Sequence, residues 1–182
     1  MSEIKVYQLS EMNDYRTHFH QTFYQAFKNL PQTLLRRIWN VDDDKKEIGF
    51  KTEDKDVYVI PWVVDGQVYA YFAYKELKSK SFSQLQFFGF DGSKYLERSI
   101  EVLTLFRTEN ALPADLNLKR DFTMAICWNV LKASGYNAAH ATCTEKILPI
   151  YLRWGLEVVH QIEMGGFKRF YIMYNEKPFL KS

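Results

Sequence analysis

The segment Thr144-Glu-Lys-Ile-Leu-Pro-Ile-Tyr-Leu-Arg-Trp-Gly-Leu-Glu157 carries a helix together with its stop signal. Its spacing predicts a short helix whose last turn bears Tyr151 and whose end is set by Gly155. Glycine takes the left-handed C′ conformation there at no steric cost. Val158 and Val159 then open a strand, and the small residues Ala138 to Cys143 form another just upstream. Taken alone, Tyr151 is equally well an amphipathic core residue with a wet hydroxyl.

Composition narrows the class. A chain of 182 residues fits one domain with a substantial core. Its 47% hydrophobic and 25% charged content is that of an ordinary globular protein, while 16% aromatics point to bulky packing or an aromatic-lined pocket. A net charge of +2 gives no global pull towards nucleic acid or a membrane surface. No apolar run approaches the ~18 residues of a membrane span, and the start Met-Ser-Glu-Ile-Lys has no signal-peptide core. Cys127 and Cys143 make no disulfide framework. A cytoplasmic location is the expectation.

Outward from the Tyr151 segment, the earlier chain reads in order. Glu3 to Leu9 alternates as a first strand, with Ser10 or Asn13 as an N-cap. Tyr15, Phe19, Phe23, Ala26, Phe27 and Leu30 share one helical face, and Pro31 stops that helix. Gln32 to Trp39 forms a second helix, and Asp42 to Lys46 a solvated loop. His18 and His20 lie two apart and cannot share a helical face, so no metal site is expected there. Val57 to Val63 and Val68 to Tyr74 are strands joined by the hairpin signal Asp65-Gly66, with Pro61 marking an edge or a bulge. Lys75 to Ser83 reads as a polar connection, Leu85 to Phe90 as a further apolar run, and Ile100 to Phe106 as a strand buried on both faces. A loop from Ala111 to Asp121 leads into a helix from Phe122 to Ala133. Val158 to Met164 and Phe170 to Tyr174 close the chain as strands joined through Gly165-Gly166.

The small-residue strand, the Tyr one turn before a Gly, and the order β-α-α-β-β-(β)-β-α-β-α-β-β resemble the GCN5-related N-acetyltransferase (GNAT) superfamily over nearly the whole chain. Its final motif is roughly Asn-x-x-Ala-x-x-Leu-Tyr-x-x-x-Gly-Phe. Tyr151, Gly155 and Leu156 match, and Thr144 stands where Asn is usual. The resemblance implies an α/β (α+β) fold with a mixed, mostly antiparallel central sheet flanked by about four helices, as one domain over 1–182. It implies an acyl group moved from acetyl-CoA or another acyl-CoA to the amine of a small molecule or peptide by direct attack, with Tyr151 protonating the leaving thiolate. The proton-accepting carboxylate is sought on the fourth or fifth strand; Glu109 is preferred over Glu101 and His140. Leu118, Lys119, Arg120 and Thr144 are the cofactor-binding candidates.

The family's pyrophosphate loop, Gln/Arg-x-x-Gly-x-Gly/Ala, has Asp115-Leu-Asn-Leu-Lys-Arg120 in its place, without glycine. Lys119 and Arg120 would then neutralise phosphates as point charge and fork. The run at Leu85 to Phe90 is similar to a lengthening in N-acyl-homoserine-lactone synthases and N-acyl amino acid synthases, whose donor is often acyl carrier protein. Acyl carrier protein is therefore the alternative partner, and a GNAT-like module without catalysis is a third reading. Phe27, Trp39, Phe167, Lys168, Arg169 and Phe170 border the expected acceptor region, a mix that suits a carboxylate-bearing amine. Neither nucleic acid nor membrane is an expected partner, no metal is expected, and a homodimer is left open.

Overall fold

In the computed structural model, which describes residues 4–13, 15–164 and 166–175, a seven-stranded sheet runs in the order β1-β4-β5-β6-β7-β9-β8. The strands are β1 (Tyr7–Gln8), β4 (Tyr58–Val64), β5 (Gln67–Glu76), β6 (Ser99–Arg107), β7 (Ala138–Thr144), β8 (Glu157–Met164) and β9 (Phe167–Asn175). A separate hairpin pairs β2 (Trp39–Asp42) with β3 (Glu47–Phe50). All neighbours are antiparallel except β6 and β7. The helices are α1 (Arg16–Phe27), α2 (Gln32–Ile38), α3 (Gln84–Phe87), α4, and α5 (Leu148–Arg153). The fourth, α4, is wound as a π-helix over Leu118–Trp128 and as an α-helix over Asn129–Ala133. The mixed, mostly antiparallel sheet is the expected architecture, with five helices among the described residues instead of four.

Strand alternation sorts the core into two layers. Tyr71 and Ala73 of β5 join Phe19, Phe23, Leu35, Ile38, Leu85 and Phe106 in one cluster. Phe72 and Tyr74 join Trp62, Ile100, Phe122, Cys127, Trp128 and Leu131 in the other. Helices α1 to α3 thus cover one face of the sheet and α4 the other. The aromatic content is spent chiefly on packing: Phe23 stacks on Phe106 at 5.0 Å and Trp62 on Phe122 at 5.3 Å. Pro61 sits in β4 beyond the reach of the two-residue β1, so its missing N–H faces an open edge.

Five local readings need correction. Of Glu3 to Leu9, only Tyr7–Gln8 is strand; Glu3 lies outside the described residues, and Leu9 instead begins a 3₁₀ turn and donates to the Val57 carbonyl. The apolar run Leu85 to Phe90 is not a strand, because Ser83 caps a helix by accepting from the Gln86 amide, and Gly89 then turns the chain at φ 77°. The second helix stops at Ile38, and the chain from Trp39 to Phe50 forms a hairpin whose turn is Asp43 to Lys46, Asp42 closing the first strand. Lys75 does not open a polar connection but is fully buried within β5. The helix expected from Phe122 begins four residues earlier, at Leu118, where Asn117 caps it.

The feature that positions the site is where β6 and β7 part. They pair only from Ser99↔Ala138 to Glu101↔His140, yet β6 runs on to Arg107 and β7 to Thr144. Next to this point the β5–β6 register skips, Ala73↔Thr104 being followed by Tyr74↔Val102. Leu103 is the extra residue, and such a bulge bends its strand away from the ladder. The parallel strands therefore open a wedge towards their C-terminal ends.

Candidate functional site

Helix α5 closes on its glycine in the expected way. The Leu156 amide donates to the Tyr151 carbonyl and the Gly155 amide to the Leu152 carbonyl, with Gly155 at φ 90°. That paired pattern is the Schellman closure, and it fixes Tyr151 at the third position from the helix end. Tyr151 packs with Leu156 on Ala141, Cys143, Phe170 and Ile172 and meets Trp154 edge to face at 5.7 Å.

Two cavities open beside β7, with no lining residue in common. The first is an apolar slot of about 70 Å³ under α4 and α5, lined by Val102 and Leu105 of β6, Ala139 and Ala141 of β7, Met124, Cys127 and Trp128 of α4, and Tyr151 and Trp154. The second, about 200 Å³, lies by the end of β7 and the β8–β9 hairpin. Its lining combines Thr33, Leu34 and Arg37 of α2 with Phe88, Thr144, Met164, Phe167, Lys168 and Arg169. Among the described residues no carboxylate lines either cavity, whereas the second holds three cations.

Electrostatics around Tyr151 favour a protonated phenol. Burial pushes the Tyr151 hydroxyl up to about 12, with the Cys143 thiol adding to the rise and Arg169 opposing it. Cys143, ending β7, is itself raised to about 11 by burial, against the pull of Arg169, so it is no ready thiolate. Arg169 is lowered to about 10, chiefly by burial, and remains a cation near neutral pH. Its Nη2 donates to the Thr142 hydroxyl at 2.7 Å, its guanidinium lies 4.5 Å from the Phe88 ring centroid, and its Nε is buried without a hydrogen-bond partner.

The structure brings some of the predicted residues together and separates others. Tyr151 borders the slot, and Thr144, Phe167, Lys168 and Arg169 border the cationic cavity. Phe27 and Trp39 pack against each other at 4.9 Å in the main core, and Phe170 belongs to the cluster beside Tyr151. Glu109 is exposed in the chain after β6 and lines neither cavity. Glu101 is buried, with Oε1 accepting from the Leu85 amide and Oε2 3.9 Å from the buried Lys75 ammonium. His140 is fully buried, bonds the Tyr171 hydroxyl at 2.7 Å and is lowered by burial to about 4, which makes it a neutral core histidine.

The start of α4 caps itself. Asn117 Oδ1 accepts from the Arg120 amide, and Asp121 accepts from the Asn117 amide. Arg120 forks onto the Asp121 carboxylate at 2.6 and 2.7 Å, and Lys119 donates to the Arg153 carbonyl at the end of α5. Leu118, half-buried, packs on the second core. The donors that would have met a pyrophosphate thus have intramolecular partners. Two residues that sequence reasoning passed over, Arg37 and Phe88, complete the cationic cavity. Phe88 was hidden by its assignment to a strand, and Arg37 carried no signal beyond its charge on a short helix.

Comparison with known proteins finds no matching family model and no matching curated protein. Among solved structures, the chain is similar to the CoA-dependent acyl-homoserine lactone synthase BjaI, solved with SAM and isopentyl-CoA. The TM-score is 0.66 at 13% identity, over 97% of this chain and 84% of that one. It is likewise similar to the CoA-dependent acyl-homoserine lactone synthase MesI, with a TM-score of 0.65 at 12% identity over 97% and 90% of the two chains. Similarity at this identity establishes a shared fold.

Proposed function

With a fold shared with CoA-dependent acyl-homoserine lactone synthases as the premise, we propose that this protein is an N-acyltransferase. It moves an acyl group from an acyl thioester to the amine of a small, carboxylate-bearing acceptor. The observation that carries this reading is a largely apolar slot bordered by Tyr151 between β6 and β7, beside a separate cationic cavity by the end of β7. The slot has room for only about five to seven water-sized units, which suits a single acyl chain or the end of a pantetheine arm. Arg37 and Lys168 at the second cavity supply the charge that a carboxylate seeks, and Leu34, Met164 and Phe167 supply apolar contact. No helix among the described residues is long and apolar enough to cross a bilayer.

In the reaction, the acceptor nitrogen attacks the thioester carbonyl carbon, and the carbonyl π pair moves to oxygen. Unpaired amides along the parted stretches of β6 and β7 polarise that oxygen. Collapse restores the carbonyl and breaks the C–S bond, whose pair stays on sulfur. Tyr151, held protonated by burial, delivers its proton to the sulfur and is reprotonated from solvent. With no carboxylate among the described residues lining either cavity, the acceptor reacts as the free amine, and the proton it sheds leaves to water through the cavity mouth.

The self-capped start of α4 favours one particular donor. A CoA nucleotide would have to displace Asp121 from Arg120 and from the Asn117 amide, whereas an acyl carrier protein presents the same pantetheine arm without an adenine nucleotide. Calorimetric titration with acyl-CoAs of graded chain length, set against an acyl carrier protein loaded with the same chains, tests both readings. Binding that depends on chain length and is lost in Ala141→Trp, which blocks the slot, is the expected result. No binding of either donor at millimolar concentration overturns the acyltransferase reading in favour of a non-catalytic module.

A further inference from the structure

The cationic cavity carries more charge than one carboxylate matches. Exposed Arg37 and Lys168 stand at its wall with half-buried Arg169, and among the described residues no carboxylate lines it. Arg37 and Lys168 are the cations that meet the acceptor's carboxylate in the reading above. Arg169 is the third. It lies opposite Thr144 in the β7–β9 register and shares a strand face with Tyr171, on the side of the sheet that α1 to α3 cover. Its charge therefore belongs to this cavity and not to the slot on the other face. The Thr142 hydroxyl accepts from its Nη2 at 2.7 Å, and the Phe88 ring centroid lies 4.5 Å from the guanidinium. Both partners are neutral: they fix the plane of the group and leave its charge in place. A guanidinium has five N–H donors, and among the described residues the Nη1 pair is uncommitted.

We propose that the acceptor is an amine bearing two anionic groups, an amino dicarboxylate or a phosphorylated amino acid, with Arg169 as the specificity-determining residue that receives the second anion. That the amine is acylated rests on the acyl-transfer reading above; the anion site rests on the cavity itself. As the free amine, an amino acid with one carboxylate carries one negative charge and leaves Arg169 unmatched. A second anion engages it, whereas a cationic acceptor would sit against three like charges. A planar fork fits carboxylate and phosphate oxygens alike. The cavity, about 200 Å³, has room for roughly 13 to 20 water-sized units, enough for an amino acid of glutamate's size. Leu34, Met164 and Phe167 supply contact for the carbons between its charges.

Calorimetric titration without donor reads the cavity directly. Wild type is titrated with glutamate and glutamine, with phosphoserine and serine, and with lysine. Each of the two pairs differs chiefly in one anionic group. A hydrogen bond to a charged group changes affinity by about tenfold or more, so at least one anionic member should bind that much tighter than its neutral counterpart, and lysine should bind weakest. The pair with the larger ratio identifies the second anion as carboxylate or phosphate. The preference should vanish in Arg169→Met and return in part in Arg169→Lys. Arg37→Met, an exposed change, should weaken all the amino acids and keep the preference. Equal affinity within both pairs overturns the proposal whatever the variants do, and so does no binding of any of them. A preference that survives Arg169→Met also overturns it, as does displacement of the bound dianion by coenzyme A, which would give these cations to donor phosphates. Incubation with an acyl donor separates the two levels. A dianion bound with this preference and never acylated removes the acyl-transfer reading but leaves the anion site. Acylation of glutamine and serine as readily as of the dianions overturns the proposal and leaves acyl transfer standing.

Discussion

Glu101→Gln isolates the charge of one buried carboxylate. Gln keeps the shape and retains an oxygen for the Leu85 amide, which donates to Glu101 at 3.0 Å. What it removes is the negative charge 3.9 Å from the Lys75 ammonium, in a pair exposed by only 0% and 1%. Lys75 also donates to the carbonyls of Ser79 and Ser81 at 3.0 and 3.3 Å, so the pair ties the chain that follows β5 down onto the sheet. In the variant, Lys75 either stays charged without a partner or gives up its proton. Discharging a lysine of ordinary pKa at pH 7 costs about 4–5 kcal/mol, and orphaning one member of a buried pair costs about 3–5 kcal/mol. The two limits agree. For a chain of this length the loss lowers Tm by roughly 6–20 °C. Burial already pulls Lys75 below its ordinary pKa, and loss of the carboxylate pulls it further. Above that lowered pKa the unfolded state binds more protons than the folded state, so stability of Glu101→Gln rises with pH there, by at most about 1.4 kcal/mol per unit. Urea denaturation at several pH values measures both effects. The double variant Lys75→Met/Glu101→Gln removes the stranded charge and should regain about 2 kcal/mol over Glu101→Gln. A loss under about 1 kcal/mol in the single variant, or a double variant no more stable than it, refutes the reasoning.

Three further outcomes follow from the site and its supports. Burial lowers His140 from 6.5 to about 4, so the unfolded state binds the extra proton between those values and stability falls by about 3 kcal/mol as pH drops across that window; acid denaturation of His140→Gln should lose this slope. Met124→Ala widens the apolar slot and should shift donor preference towards longer acyl chains, each added methylene changing relative kcat/KM by about 10- to 200-fold at most. Asn117→Ala removes the cap on the Arg120 amide and should cost about 0.5–2 kcal/mol in urea denaturation.

The sheet was legible because its strands are long and strongly patterned, and because Asp65-Gly66 and Gly155 mark turns by a backbone need that few other residues meet. Errors fell where tertiary partners overrule local pattern. Leu85 to Phe90 is apolar like a strand, but Ser83 and the distant Glu101 supply hydrogen bonds that make its first turn a helix. Lys75 looked solvated because nothing nearby in sequence announces Glu101 across the β5–β6 register. Asp42 to Lys46 reads as a loop whether or not strands flank it. At the site, Tyr151 was visible through its glycine-terminated helix. Glu109 was favoured by its place at a strand end, a one-dimensional argument blind to the bulge at Leu103 that turns β6. Arg169 was noticed only as part of a basic hairpin, since its hydrogen bond to Thr142 and its place against the Phe88 ring belong to its three-dimensional surroundings.

The most direct measurement is amine-dependent release of free thiol from an acyl-CoA or acyl carrier protein, across a panel of carboxylate-bearing amines, with the amide product identified by mass. Wild type should release thiol only when both donor and a suitable amine are present, and Tyr151→Phe should lower the rate by about 10²–10⁴-fold while binding donor as tightly. A wild-type protein that binds donor yet forms no amide with any amine, or a Tyr151→Phe variant at full rate, would contradict acyl transfer through this site.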